Sequence, residues 1–174
     1  MTVIKQEDLI ESVAAALQYI SYYHPADYIA HLARAYETEQ SPAAKDAIAQ
    51  ILTNSRMCAE GHRPICQDTG IVVVFLKVGM DVRWDATMSV QEMVNEGVRR
   101  AYLEPTNVLR ASIVADPAFT RKNTRDNTPA VVHSEHVPGD TVEVKHAAKG
   151  GGSENKTKFA MLNPSDSIVD WDMK

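Results

Sequence analysis

Reactive side chains stand close together in one short segment of the 174-residue chain. Cys66, Gln67 and Asp68 are flanked by Pro64 and Gly70, two residue types that predict a tight turn from which side chains project. A thiolate there could bind a metal or an iron–sulfur cluster, and a carboxylate could act as a general acid or base. The alternatives are a small buried cysteine and an Asx turn in which Asp68 bonds its own backbone. We call residues 64–70 the Cys66 loop and regard it as the first candidate site.

Three consecutive glycines, Gly150, Gly151 and Gly152, form the second candidate site. Glycine costs roughly 0.5–1 kcal/mol in conformational entropy inside regular structure, so such a run suits backbone that approaches a ligand closely. The segment from Gly150 to Lys156 nearly matches a phosphate-binding loop, but Asn155 replaces the second glycine of that pattern. The same backbone N–H groups could hold a carboxylate or face a charged cluster, and a purely structural turn is a further alternative.

A third pattern, Cys58, His62 and Cys66 at four-residue spacing, offers three soft ligands for zinc. These side chains would share a face only on a continuous helix, which Gly61 and Pro64 interrupt. The pattern also lacks a fourth ligand at a recognised spacing. A zinc site is therefore disfavoured, and we expect Cys58 to lie in the core or on the surface of a helix.

Hydrophobic periodicity and capping residues predict the elements that position these loops. Helices are expected over 6–23, 25–39, 41–59 and 89–103, the third with Ser41 as N-cap and the last opened by a Ser89–Glu92 capping box. Strands are expected over 71–78, buried within the fold, and over 110–115, 130–136 and 141–147, with a turn at 137–140 and a short helix from the glycines to Leu162. An N-terminal helical region followed by a small mixed β-sheet with a glycine-rich loop predicts an α+β fold. We expect one domain over 1–174, helical at 1–62 and sheet-containing at 63–174.

Composition limits the classes of partner. The net charge of −5 argues against a nucleic-acid partner, so an anionic ligand would need a local basic pocket. No stretch approaches the roughly 18 apolar residues of a membrane span, and residues 1–12 lack the apolar core of a signal peptide. Two cysteines give no disulfide framework, so a cytoplasmic protein without a membrane partner is expected. Six basic residues could form the pocket: Arg110, Arg121, Lys122, Arg125, Lys149 and Lys156.

Four motifs give the chain a resemblance to a known family. They are Ile65-Cys66-Gln67-Asp68-Thr69-Gly70, Leu109-Arg110-Ala111-Ser112, Asn123-Thr124-Arg125-Asp126-Asn127-Thr128-Pro129-Ala130, and Ala148-Lys149-Gly150-Gly151-Gly152-Ser153-Glu154-Asn155-Lys156. In this order they closely resemble the N-terminal, or alpha, region of class I, iron–sulfur-dependent fumarate hydratases, over essentially the whole chain. Tartrate dehydratase alpha subunits are similar to the same pattern.

The resemblance implies a hydro-lyase that reversibly hydrates fumarate to malate, or that acts on tartrate or another hydroxy-diacid. It implies that Cys66 is one of three cysteine ligands of a [4Fe-4S] cluster and that Asp68 gives or takes a proton. It also implies that Gln67, Arg110 and the Gly150–Gly152 backbone contact the substrate. Arginine suits that role because its planar fork matches a carboxylate bidentately.

Two expectations concern the protein as a whole. In the resembled family the other two cluster cysteines lie further along a longer chain, so we expect this chain to be an incomplete N-terminal piece, inactive alone. We expect the complete enzyme to be a homo-oligomer, a dimer, with a small dicarboxylate as its ligand. A phosphate-binding module without catalysis is the alternative from a different class of protein.

Overall fold

The computed structural model describes residues 2–67, 69–150, 161–163 and 165. Its N-terminal part contains a short strand, β1 (Thr2–Lys5), and three helices, α1 (Gln6–Tyr22), α2 (Ala26–Thr38) and α3 (Pro42–Gly61). These three helices confirm the predictions over 6–23, 25–39 and 41–59. Ser41 is the N-cap of α3, and Pro42 takes the first helical position, where a missing N–H costs nothing.

The following part carries most of the strands. Its elements are β2 (Ile71–Gly79), β3 (Val82–Asp85), α4 (Val90–Tyr102), β4 (Val114–Ala115), β5 (Lys122–Asn123), β6 (Val131–Val137) and β7 (Val142–Lys149). β2 is the central strand of a mixed sheet, with β6 parallel on one side and β7 antiparallel on the other. β1 pairs in parallel with β3, and β4 pairs antiparallel with β5. The predicted α+β class is confirmed.

One hydrophobic core joins α1, α4 and one face of β2. Leu9, Val13 and Leu17 recur at four-residue spacing on the buried face of α1, as expected of an amphipathic helix. Alternate residues of β2 are buried, but Phe75 on its other face is 48% exposed. The prediction of a fully buried strand is therefore wrong for one face of β2 among the described residues. An apolar run alone does not show which face is covered.

The connection between β6 and β7 crosses the end of β2. Gly139 has φ +116°, the positive value expected of glycine in the predicted turn at 137–140. The N–H groups of Gly79 and Asp81 donate to the carbonyl oxygens of Thr141 and Gly139, respectively, each at 2.9 Å. β6 and β7 therefore lie on opposite sides of β2 and do not pair with each other.

Three further predictions of helices and strands need correction or fall outside the described residues. The strand over 110–115 exists only at Val114–Ala115, because hydrogen bonds from residues 123–127 occupy backbone groups of residues 111–113. The helical part at 1–62 also contains β1, a four-residue strand whose partner β3 lies far along the chain. The helix before Leu162 falls largely outside the described residues, and Met161 and Leu162 are not helical.

Candidate functional site

The Cys66 loop and the glycine run start side by side because their strands are neighbours. Gly70 precedes β2, Gly150 follows β7, and Ile71 pairs with Lys149 in antiparallel register. Gly70 has φ +67°, and a Cβ atom there would lie 2.1 Å from the carbonyl oxygen of Lys149. Only glycine permits both this conformation and this approach. The fold thus brings the end of the Cys66 loop and the first glycine of the run to the same end of one strand pair.

The Arg110 segment reaches the same place from the end of α4. The hydroxyl of Thr69 donates to the backbone carbonyl of Arg110. The hydroxyl of the buried Tyr102, in the last turn of α4, donates to the carbonyl of Thr69 at 2.9 Å. Arg110 is exposed. Its backbone is therefore fixed against the Cys66 loop while its side chain stays accessible to a ligand.

Cys66 stands on a loop whose base is fixed by two helices. Ile65 donates its N–H to the carbonyl of Ser21 at 2.8 Å and accepts from Asn54 Nδ2 at 3.0 Å. Cys66 itself is exposed, and its Sγ donates to Gln67 Oε1 at 3.2 Å. An exposed thiol on an anchored backbone is suited to binding a metal or cluster. Asp68 lies outside the described residues, as do Gly151 and Gly152.

Cys58 has a structural role. It is 6% exposed on α3, and its Sγ contacts Asn54 Oδ1 and the carbonyl of Pro64, both at 3.6 Å. His62 ends α3 in the left-handed conformation and stacks on Tyr22 at 4.8 Å between ring centroids. The residues that the structure describes contain no group of three or more His, Cys, Asp or Glu side chains able to hold a metal. Cys58 and His62 thus each make contacts of their own, Cys58 within α3 and His62 at its end.

A pocket of about 730 Å³ opens beside the Cys66 loop. Its walls come from the end of α1, from the Cys66 loop and from the last residues of β7. Cys66, Thr69 and Tyr102 line it together with the two histidines His24 and His146. Most of the remaining lining is apolar, so polar groups that face the pocket are few and can orient a ligand.

His146 is a pocket residue that the sequence patterns did not single out. It follows Val142 and Val144 on the inward face of β7, and its Nε2 is buried without a hydrogen-bond partner in the part of the chain that the structure describes. Burial lowers the pKa of His146 below its usual value, which favours a neutral imidazole at neutral pH. The sequence does contain one signal for His146: it is a polar residue on the strand face that otherwise carries the apolar residues of the alternating pattern.

Asn127 gives the third motif a role that its residue types did not reveal. The side chain is 0% exposed, and its backbone has φ 61°. Its Nδ2 donates to the carbonyl of Gly70 at 3.0 Å, and its Oδ1 accepts from the N–H groups of Ser112 and Ile113 at 2.7 and 3.3 Å. One carboxamide therefore links the Cys66 loop to the segment that follows Arg110.

The predicted basic residues are only partly brought together. Arg110 borders the Cys66 loop through the contact with Thr69, and Lys149 borders it through the backbone approach of Gly70. Lys122 lies in β5, with Arg121 directly before it and Arg125 three residues after it in the sequence. Lys156 lies outside the described residues. Arg110 and Lys149 are thus the two basic residues whose backbone the structure places against the Cys66 loop.

Cys66 can supply one cysteine ligand to an iron–sulfur cluster. Such clusters are usually held by several cysteine thiolates. The chain has one other cysteine, Cys58, and that thiol is buried in contact with α3 and the backbone of Pro64. The described residues therefore fit a cluster to which this chain contributes a single thiolate.

Comparison with known proteins gives independent findings on the same chain. The sequence model of the family described as fumarate hydratase (Fumerase) matches residues 10–173. The putative L(+)-tartrate dehydratase subunit alpha of Methanocaldococcus jannaschii is 34% identical over 151 residues, which is 84% of this chain. The anaerobic class I fumarate hydratase of Escherichia coli is 34% identical over 134 residues, or 74% of this chain. An L(+)-tartrate dehydratase subunit alpha of Escherichia coli is 28% identical over 158 residues, or 91% of this chain.

The aligned regions cover only part of each relative. They amount to 52% of each tartrate dehydratase subunit and 24% of the fumarate hydratase. The chain thus spans about half the length of the tartrate dehydratase subunits that it matches. Among the described helices, none has the length and apolar character needed to cross a bilayer.

Proposed function

Because the chain belongs to the fumarate hydratase (Fumerase) family, we propose that the complete protein is a hydro-lyase that reversibly hydrates fumarate to malate. The reaction adds the hydroxyl of water to one carbon of a double bond and a proton to the other. The observation that carries the proposal is the meeting of the Cys66 loop, Arg110 and Gly150 at one end of the β2–β7 strand pair. These are the segments that the resemblance assigned to cluster and substrate.

Arg110 and Gly150 supply the dicarboxylate contacts in this proposal. The guanidinium of Arg110 is exposed while its backbone is fixed, so it can meet a carboxylate through two parallel hydrogen bonds. Gly150 brings backbone without a side chain to the same place. Gln67, exposed next to Cys66, adds a carboxamide that can orient the substrate. Gly151 and Gly152 extend the backbone contacts of Gly150 in this proposal.

Cys66 is proposed to supply one thiolate to a [4Fe-4S] cluster, and the remaining ligands come from elsewhere in the complete enzyme. The cluster, when bound, supplies a Lewis-acidic iron to the site. The contacts of Ile65 with Ser21 and Asn54 fix the backbone from which the Cys66 thiolate projects. The backbone next to Cys66 is therefore held by contacts with α1 and α3.

Asp68 is proposed as the group that gives or takes the proton of the hydration step. Hydration needs a general acid and a general base near the double bond, and carboxylates serve in this role. Asp68 is placed between Gln67 and Thr69 in the sequence, in the segment that also carries Cys66. His146 lines the same pocket, and burial lowers its pKa, which favours the neutral imidazole.

Tartrate is the second candidate substrate, and one specific observation favours it. The putative tartrate dehydratase alpha subunit is 34% identical over 84% of this chain, against 34% over 74% and 32% over 82% for an anaerobic and an aerobic class I fumarate hydratase. A second tartrate dehydratase alpha subunit aligns with 91% of the chain. In that case the complete enzyme would contain a second kind of subunit, since those relatives are named as alpha subunits. This replaces the homo-oligomer with an assembly of two different chains.

The test uses the complete enzyme, purified without oxygen and supplied with iron and sulfide. Turnover is measured with fumarate, malate and L(+)-tartrate, for the wild type and for Arg110→Lys. We expect the wild type to turn over fumarate and malate in opposite directions, or L(+)-tartrate in the case of the second candidate. Arg110→Lys should raise KM, because lysine keeps the charge and loses the bidentate contact. Arg83→Lys, on the exposed side of β3, is the matched control and should leave KM unchanged. An enzyme with full cluster content and no turnover of any diacid would refute the proposal.

A further inference from the structure

We propose that Asn127 is the positioning residue that sets the Cys66 loop relative to the Arg110 segment. The catalytic consequence rests on the proposed function, whereas the structural link is independent of it. Asn127 contacts neither Cys66 nor Arg110 in the hydrogen bonds described, so it acts through Gly70 on one side and Ser112 on the other.

The carboxamide of Asn127 meets donors and acceptors from two separate segments. Its Nδ2 donates to the carbonyl of Gly70, the last residue of the Cys66 loop, at 3.0 Å. Its Oδ1 accepts at 2.7 Å from Ser112, which lies two residues after Arg110, and at 3.3 Å from Ile113. Asparagine and glutamine are the side chains that carry an amide donor and a carbonyl acceptor together. A single planar group thus fixes the distance between two backbone segments.

The surroundings of Asn127 hold this carboxamide in place. The residue is 0% exposed, so water does not replace its partners. Its φ of 61° is left-handed, a conformation in which asparagine is among the better tolerated side chains. Next to it, Asp126 accepts from Thr128 N and Oγ1 and from Arg99 Nε at 3.1 Å, which anchors the segment to α4.

This link bears on both halves of the site. The Gly70 carbonyl belongs to the loop that carries Cys66, and Ser112 belongs to the segment that carries Arg110. A site misplaced by about 1 Å can lose on the order of 100-fold in rate, because reacting groups must meet within narrow limits of distance and angle. Loss of the Asn127 link is therefore expected to lower kcat/KM without removing any group that touches the substrate.

Two substitutions separate the two sides of the link. Asn127→Asp keeps the acceptor for Ser112 and Ile113 but loses the donor to Gly70 when its carboxyl is ionised, because a carboxylate only accepts hydrogen bonds. Burial favours the protonated carboxyl, which could still donate, so this variant is measured at alkaline pH. Asn127→Gly removes both and tolerates the positive φ. Asn107→Asp is the matched control. Asn107 is 9% exposed, and its Nδ2 donates to Gln18 Oε1 at 2.7 Å and to the hydroxyl of Ser21 at 3.3 Å, both on α1 and outside the Cys66 loop and the segment after Arg110.

Hydrogen exchange of the backbone amides is measured in the complete enzyme together with steady-state kinetics. Residues 66–72 should exchange faster in both Asn127 variants, whereas Ser112 and Ile113 should exchange faster only in Asn127→Gly. In the Asn107→Asp control neither segment should change. We expect kcat/KM to fall about 10- to 100-fold in both Asn127 variants and less than about twofold in the control.

The outcomes separate this proposal from the proposed function. Unchanged exchange at residues 66–72 in both Asn127 variants would overturn the link. A kcat/KM no lower than that of Asn107→Asp at equal loss of thermal stability would overturn the positioning role. If the wild type turns over no diacid, the proposed function fails, and the exchange pattern alone decides for or against the link.

Discussion

Gly70→Ala tests the close approach on which the geometry of the site depends. At φ +67° an alanine costs about 1–2 kcal/mol in left-handed strain. Its Cβ would also lie 2.1 Å from the Lys149 carbonyl oxygen and 2.6 Å from Gly150 N, so backbone must move. Overpacking of this kind adds about 1–3 kcal/mol. We therefore expect the free energy of unfolding to fall by about 2–5 kcal/mol.

Gly139→Ala is the matched control for this prediction. Gly139 also has a positive φ, +116°, but a Cβ there would meet no atom within 4 Å. Gly139→Ala should therefore lower the free energy of unfolding through backbone strain alone and leave the geometry of the site unchanged. Chemical denaturation of the complete enzyme compares the two stabilities, and kinetics compares their kcat/KM. Equal losses of stability and activity in the two variants would show that the approach of Gly70 to Lys149 is not what holds the loops together.

Three further predictions concern the proton, the pocket and the cluster. Asp68→Asn should lower kcat about 10²- to 10⁴-fold with little change in KM, as steady-state kinetics would show, because the proton step is felt in the transition state. Burial lowers the pKa of His146 in the folded state, so below about pH 6.5 the unfolded state binds more protons and the free energy of unfolding falls as the pH is lowered. In His146→Gln the free energy of unfolding should fall less between about pH 7.5 and about pH 5, as chemical denaturation at the two pH values would show. The 174-residue chain alone should acquire no stoichiometric cluster, because Cys66 is its one exposed cysteine; iron and sulfide counting after anaerobic reconstitution checks this, and a chelator-resistant cluster would contradict it.

Local signals in the sequence predicted the helices well. Ser89 caps α4 and accepts from Glu92 N, while the Glu92 carboxylate accepts from Ser89 N, as the capping box predicts. Ser41 and Pro42 likewise begin α3 where expected. These signals succeed because the residues that define a helix end lie within one turn of it. The turn residues at 137–140 likewise separated the two predicted strands that the structure shows as β6 and β7, because a turn signature is also local in the sequence.

The assembly of the site depends on contacts that the sequence does not display. The strand after the Cys66 loop and the strand before the glycines were both predicted, but their pairing was not, since register follows from the whole sheet. Residues 110–113 have strand-like composition, yet Asn127 takes the N–H groups of Ser112 and Ile113. A side chain that takes the hydrogen bonds of a neighbouring strand produces no periodic pattern in the sequence. The role of Asn127 could therefore be recognised only from the structure.

The most direct test of the central claim compares two cysteines of the complete enzyme. Iron and sulfide are counted in Cys66→Ser and in Cys58→Ser after anaerobic purification. We predict that Cys66→Ser loses the [4Fe-4S] cluster and the turnover of the diacid, because the exposed thiol of the Cys66 loop is the proposed ligand. Cys58→Ser, whose thiol is buried against α3, should retain both. Full cluster content and normal turnover in Cys66→Ser would contradict the account.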